Sequence, residues 1–174
     1  MEEKKMLRDD YSNFKYFQCI EPQEIISTDL TGICIDTQGY ESLTIVVEFA
    51  KLSVLSGASY VQLYLEHTDA SALQAGPSDY AIVSVTDIIG LDSTITSLTS
   101  GVYHTIGVNN AAIVSTLGSV VVAIGYRGYK RYVHVVIDCV GVVALVSDAV
   151  SAIAILGYPA NWPVNVEKAI DVSA

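Results

Sequence analysis

Residues 43–49, Leu43-Thr44-Ile45-Val46-Val47-Glu48-Phe49, decide the fold class. Leu43, Ile45, Val47 and Phe49 fall on one side of a two-residue period, with Thr44, Val46 and Glu48 on the other. This is the pattern of a strand with one face on a core. Residues 60–66 repeat it, with Val61, Leu63 and Leu65 alternating with Tyr60, Gln62, Tyr64 and Glu66, so the second strand has a tyrosine-bearing outer face. Ala75-Gly76-Pro77-Ser78-Asp79 then reads as a loop, because proline presets φ and glycine tolerates the positive φ that many turns need. Further β-branched runs are expected as strands at 80–85, near Ile95, and at 102–108, 120–126, 131–138, 142–146 and 152–156, punctuated by Gly, Asn, Asp and Ser. The last of these are apolar on both faces, as central strands covered by two layers are. Roughly eight to ten short strands with regular turns predict an all-β, antiparallel β-sandwich, and the jelly roll is the commonest arrangement at that count.

Around this body the chain divides into an N-terminal arm (1–20), a sandwich domain (21–158) and an extended C-terminal tail (159–174). Tyr11, Phe14, Tyr16 and Phe17 are spaced as either a short amphipathic helix or an extended arm would use them. In the tail, Pro159 and Pro163 each remove a ladder donor and work against regular pairing. At 174 residues the chain suffices for one domain that buries about 70% of its unfolded surface.

Charged residues make up only 16% of the chain and apolar ones 51%, with a mean hydropathy of +0.43. So little charge leaves a lone molecule with apolar or uncharged patches, which predicts a homo-oligomer. The net charge of −10 sits between residues 16 and 126, where Lys51 is the sole base against eleven acids. An acidic body with only Arg127, Lys130 and Arg131 grouped together is a poor counterion-releasing surface, so nucleic acid is not an expected partner. Cys19, Cys34 and Cys139 are odd in number, widely spaced and free of any CxxC, and read as reduced thiols. The opening MEEKKMLRDDYSNFKYF lacks a signal-peptide apolar run, which predicts assembly in the cytoplasm. The apolar stretch 139–156 is broken by Ser147, Asp148 and Ser151. An aspartate near a bilayer midplane costs about 2.5–3.5 kcal/mol, so two core strands joined by a turn fit better than a membrane span.

Catalytic and metal signatures do not emerge. His67, His104 and His134 form no HxH or HxxxH pair and read as surface or interface histidines, His134 lying opposite Val133 and Val135. There is no GxSxG elbow, no DxDxDG calcium loop and no glycine-rich phosphate loop, and Asp36, Asp87, Asp92, Asp138 and Asp148 stand where turns and strand ends explain them. No enzyme activity, cofactor or metal is expected.

Residues 125–137, GYRGYKRYVHVVI, carry the most specific message. A strand at 120–126 and another at 131–137 flank Arg127-Gly128-Tyr129-Lys130, which predicts a hairpin with cations and tyrosines at its tip. Tyrosine and arginine are enriched where protein contacts are strongest, so Tyr126, Arg127, Tyr129, Lys130, Arg131, Tyr132 and His134 are the candidate interface residues, with Trp162 in the tail. The plainer reading is a solvated hairpin whose cations discourage edge pairing.

DTQGYESLTIVV (36–47), VQLYLEHTDA (61–70), VAIGYRGYKRYVHVVI (122–137) and AIAILGYPANWPV (152–164) together resemble a family of small structural proteins of tailed bacteriophages. The family pattern is a Gly-Tyr-x-Ser-Leu run, an xLExSxD strand, a Gly-Tyr-x-Gly-x-Lys-Arg-Tyr-Val-Arg run and an Ala-Val-Leu-Gly-x-Pro ending, covering residues 30–164. His134 stands where that pattern has its final arginine. The resemblance implies a jelly-roll-like sandwich that decorates or cements a capsid, often as a trimer, binding the major capsid protein and its own copies. Neck, tail and fibre placements stay open under it. A carbohydrate-binding module of a fibre or spike, using Tyr60, Tyr64 and Tyr103, is the alternative from another class, and a hydrolase ranks last.

Overall fold

The computed structural model describes residues 13–25, 28–50, 60–70, 79–90, 104–106, 119–141 and 149–160. Their strands are β1 (Phe14–Glu24), β2 (Leu30–Thr31), β3 (Ile35–Asp36), β4 (Tyr40–Phe49), β5 (Tyr60–Thr68), β6 (Ala81–Ile82), β7 (Ile88–Ile89), β8 (His104–Ile106), β9 (Val120–Tyr126), β10 (Tyr132–Val140) and β11 (Ala149–Pro159). All pairings are antiparallel. Sheet A runs β1-β11-β4-β9-β7, and sheet B runs β2-β10-β5-β6, with β3 also on β10 and β8 also on β5. The protein is an all-β sandwich.

Alternation in the sequence is what builds the core. Leu43, Ile45, Val47 and Phe49 of β4 are buried alongside Val150, Ala152, Ala154 and Leu156 of β11 and Ile124 of β9. From sheet B they meet Val61, Leu63 and Leu65 of β5 and Val133, Val135 and Ile137 of β10. At roughly 1.5–3 kcal/mol for each fully buried aliphatic or aromatic side chain, this interior is the main stabilising term. β10 is buried on both faces from Val133 to Ile137, with His134 the one polar side chain in that run.

Long strands adjacent in sequence never pair here. β4 lies in sheet A and β5 in sheet B, and β9, β10 and β11 alternate between the sheets in the same way. Residues 127–131 therefore form a crossover between sheets, correcting the hairpin expected from the sequence: β9 pairs with β4 and β7, whereas β10 pairs with β5, β2 and β3. The arm boundary is corrected too, because residues 14–20 belong to β1, paired along β11 from Phe14↔Gly157 to Glu24↔Ala149. The strands expected near Ile95 and at 142–146, and most of the arm and tail, lie outside the described residues. Among the described residues, no helix is long and apolar enough to cross a membrane.

The sides between the sheets are laced by short segments. Between β2 and β3, Gly32 N–H donates to Val135 O at 2.8 Å and Ile33 N–H to Cys19 O at 2.8 Å, tying sheet B to the outer strand of sheet A. Across the molecule, Val83 N–H donates to Leu65 O at 2.9 Å. The chain then turns through a 3-10 segment at Val85–Asp87, capped by Ser84, and joins β9 as β7. Val83 and Ile88 are buried where this segment passes from one sheet to the other. Such bridging occupies backbone groups that open edges would otherwise present to other chains.

Candidate functional site

The crossover 127–131 and the strand residues on either side of it, Tyr126 and Tyr132, carry most of the residues singled out from the sequence, and the structure sorts them. Tyr126 is only 5% exposed, so it is a core post and not part of a contact surface. Its hydroxyl accepts from Lys130 N–H at 3.0 Å, donates to Lys130 O at 3.3 Å and lies 3.0 Å from His67 Nδ1. His67 continues the inward series of Val61, Leu63 and Leu65, which is why it is buried against Tyr126 and not at the surface as expected.

The three cations are held within the chain. Arg131 makes a two-point bond to Asp36, Nε to Oδ1 at 2.8 Å and Nη2 to Oδ2 at 2.7 Å, while its guanidinium lies 4.9 Å from the Tyr132 ring centroid. Lys130 pairs with Asp69, and Arg127 Nε donates to Thr86 O at 2.6 Å. Tyr129, 83% exposed, is the outstanding side chain of the crossover, with the Lys130 ammonium 5.2 Å from its centroid. Trp162 lies outside the described residues.

These contacts set a pH dependence. Burial pushes the His67 imidazole below its ordinary value of 6.5, so below 6.5 the unfolded chain binds the proton more readily and stability falls on acidification. The hydrogen bond from Arg131 holds the Asp36 carboxyl below 3.8, and the one from Lys130 does the same for Asp69, so their contribution is lost as pH falls through that lower range. Asp138 opposes them. Burial and then the neighbouring Asp29 raise it above 3.8, so its protonation favours the folded state. Thermal melts from pH 8 to 3 are expected to show Tm declining below about 6.5 and again in the carboxylate range. His67→Gln should flatten the first limb only, and a wild-type Tm constant from pH 7 to 5 would exclude this role for His67.

No protein-family model and no curated protein matches the chain. The site therefore rests on geometry, and two further faces stand out.

The first is the outer face of sheet B, which holds a cavity of about 520 Å³ lined by Asp29, Thr31, Gly32, Cys34, Tyr64, Glu66, Tyr80, His134 and Val136. Register places it: His134 lies opposite Glu66 and Val136 opposite Tyr64. His134, expected at the surface, is buried here because the Tyr80 ring packs 4.3 Å from its own. His134 Nε2 is 2.8 Å from Glu66 Oε2, and the Tyr80 hydroxyl donates to Cys34 Sγ at 3.5 Å. Burial pushes the Tyr80 phenol up to about 12, raises Cys34, and raises Tyr64 with help from Glu66, Asp138 and Asp29. Cys19 and Cys139 sit in the core, pushed up to about 11 by burial, and are poor thiolates. Among the described residues, no group of three His, Cys, Asp or Glu side chains is arranged to hold a metal ion.

The second is the outer face of sheet A. The apolar residues alternating with the core series there are Tyr16, Val46, Val121, Ala123, Ile153 and Ile155, interspersed with Gln18, Thr44 and Ser151 and joined by Ile89 of the edge strand β7. Val121 is 61% exposed and Ile153 46%, and Ile153, Val46 and Ala123 sit side by side across three strands. Glu48, opposite Val121, is the one carboxylate on this face of β4.

Proposed function

We propose that this chain is a structural protein of a tailed-phage virion, a capsid decoration or cement subunit that binds its own copies and the major capsid protein. The observation that carries the reading is the apolar outer face of sheet A. Exposed Val121, Ile153, Ile89 and Tyr16 on one face of a five-stranded sheet are what a subunit buries against neighbours. The described chain also enters and leaves at one corner of that sheet, where Phe14 pairs with Gly157 and Ala160 N–H donates to Gly39 O at 2.8 Å.

Strand order supports the jelly-roll form of the sandwich. Taking β2 with β3 as one interrupted strand on β10, and β6 with β8 as one on β5, sheet A without β7 reads first-eighth-third-sixth and sheet B second-seventh-fourth-fifth. That is the interleaving of two Greek keys wound across two sheets. The mechanism is thermodynamic. A trimer that touches several capsomers at once multiplies weak contacts, and every contact made only in the closed shell raises the cost of opening it.

The double variant Val121→Asp, Ile153→Asp changes exposed side chains only, so it should stay folded. Its light-scattering mass is expected to drop to that of the 18.6 kDa monomer, and co-sedimentation with shells of the encoding phage should fall at least about tenfold. Unchanged mass and unchanged shell binding would remove the proposal.

A further inference from the structure

We infer that the cavity on the outer face of sheet B is a binding site for a neutral saccharide, a function separate from the assembly surface on sheet A. Four observations point the same way. The cavity, about 520 Å³, lies within the size range of small-ligand pockets, and among the residues lining it are two tyrosines, Tyr64 and Tyr80. The Tyr80 ring is held in place, packed on His134 and bonded to Cys34 Sγ, and Tyr64 stands on β5 opposite Val136 of β10. Preset aromatic faces of this kind contact the C–H faces of a sugar ring at little entropic cost.

The polar lining suits hydroxyl groups more than ions. Glu66 bonds His134 through Oε2, which orients the carboxylate. Asp29 Oδ1 accepts Cys139 N–H at 3.1 Å, which fixes that carboxylate at the cavity wall. These groups, with the Thr31 hydroxyl, offer acceptors and donors of both kinds to a ligand rich in O–H groups. Among the described residues no Lys or Arg lines the cavity, and His134 is taken up by Glu66, so these residues do not favour a sialate, a sulfate or a phosphate. A carboxylate-bearing sugar would instead face Glu66 and Asp29 without a compensating cation.

The position is also apart from the face assigned to assembly. Sheet B's outer surface and sheet A's outer surface point to opposite sides of the sandwich, so a subunit seated through Val121 and Ile153 would hold Tyr64 and Tyr80 away from that contact.

The test uses the full chain, titrated calorimetrically with maltotriose, cellotriose and chitotriose as neutral probes. Sialyllactose is the anionic counterpart and tetra-arginine the cationic one. At least one neutral trisaccharide is expected to bind with a millimolar or tighter Kd, with sialyllactose at least about tenfold weaker. Tyr64→Ala should weaken the neutral ligand about tenfold, as should Glu66→Gln, whereas Glu48→Gln on the far sheet should leave it unchanged. Should Glu66→Gln unfold through loss of its bond to His134, Tyr64→Ser decides in its place. The inference is overturned by any of three results: none of the neutral probes binds at about 20 mM, binding survives Tyr64 substitution, or tetra-arginine alone binds, which would assign the cavity to a basic peptide. None of these outcomes bears on the mass and shell-binding readouts of the sheet A variant.

Discussion

Tyr126→Ala is expected to destabilise the fold by about 3–5 kcal/mol, the range for removing a large buried aromatic ring. The ring closes the core at the end of β9, where Tyr126 pairs with Leu43 of β4 on one side and Ile88 of β7 on the other. Its hydroxyl fixes the crossover to sheet B by taking the Lys130 N–H and facing His67 Nδ1. Two losses therefore combine, a cavity and stranded polar groups. Tyr126→Phe separates them, since it keeps the ring and should cost only the unpaired polar groups at Lys130 and His67, about 1–3 kcal/mol. Gly128 belongs to the same arrangement, because a Cβ there would stand 2.5 Å from Tyr126 Cζ and 2.6 Å from its Cε2. The neighbouring Tyr129 is the internal control: exposed, and expected to change stability by no more than about 0.5 kcal/mol when truncated. Urea denaturation of the three tyrosine variants reads these differences directly. Equal effects from Tyr126→Ala and Tyr129→Ala would mean that Tyr126 is not the post described here.

The contrast between these tyrosines shows where sequence reading reaches and where it stops. β4 and β5 were legible because a strict two-residue period survives along each of them, and β9 and β10 because their β-branched runs are long and bounded by Gly and Asp. β1 was hidden. Its register shifts between Gln18 and Ile20 and again before Gln23, which leaves consecutive Cys19 and Ile20 both buried and erases the alternation that marks a strand. The crossover was misread because strand partners are not written in the run itself: a Gly-Tyr-Lys-Arg loop looks alike whether the next strand returns to the same sheet or enters the opposite one. The burial of His67 was readable in principle, as the fourth member of the series 61, 63, 65, 67. That of His134 was not, because its cover, Tyr80, lies far along the chain. The cavity shares that difficulty. Tyr64 and Glu66 showed as outward positions, but Asp29, Cys34 and Tyr80 join them only once β2, β3 and the segment before β6 have folded onto β10 and β5.

A second large effect is expected from Gly32→Val, about 1–3 kcal/mol of destabilisation and the range for overpacking a filled site. Gly32 sits where the β2–β3 segment passes between β1 and β10. An added Cβ would come 3.0 Å from Cys19 O, 3.1 Å from Val135 Cγ1 and 3.3 Å from Ile20 Cγ1, and the first of these is backbone that cannot rotate away. Valine's two methyl groups would force β2–β3 outward and strain both laces at once, Gly32 N–H to Val135 O and Ile33 N–H to Cys19 O. Two consequences separate this from a general loss of packing. Amide exchange should quicken at Gly32 and Ile33 ahead of the β4 and β5 interior, because the side of the sandwich opens before its centre. The β1 edge near Cys19, released from Ile33, should also become available to other chains, so the variant is expected to aggregate from its native state sooner than a core variant of equal stability. A Gly32→Val protein with wild-type urea midpoint and wild-type exchange at Ile33 would show that this segment does not bind the two sheets together.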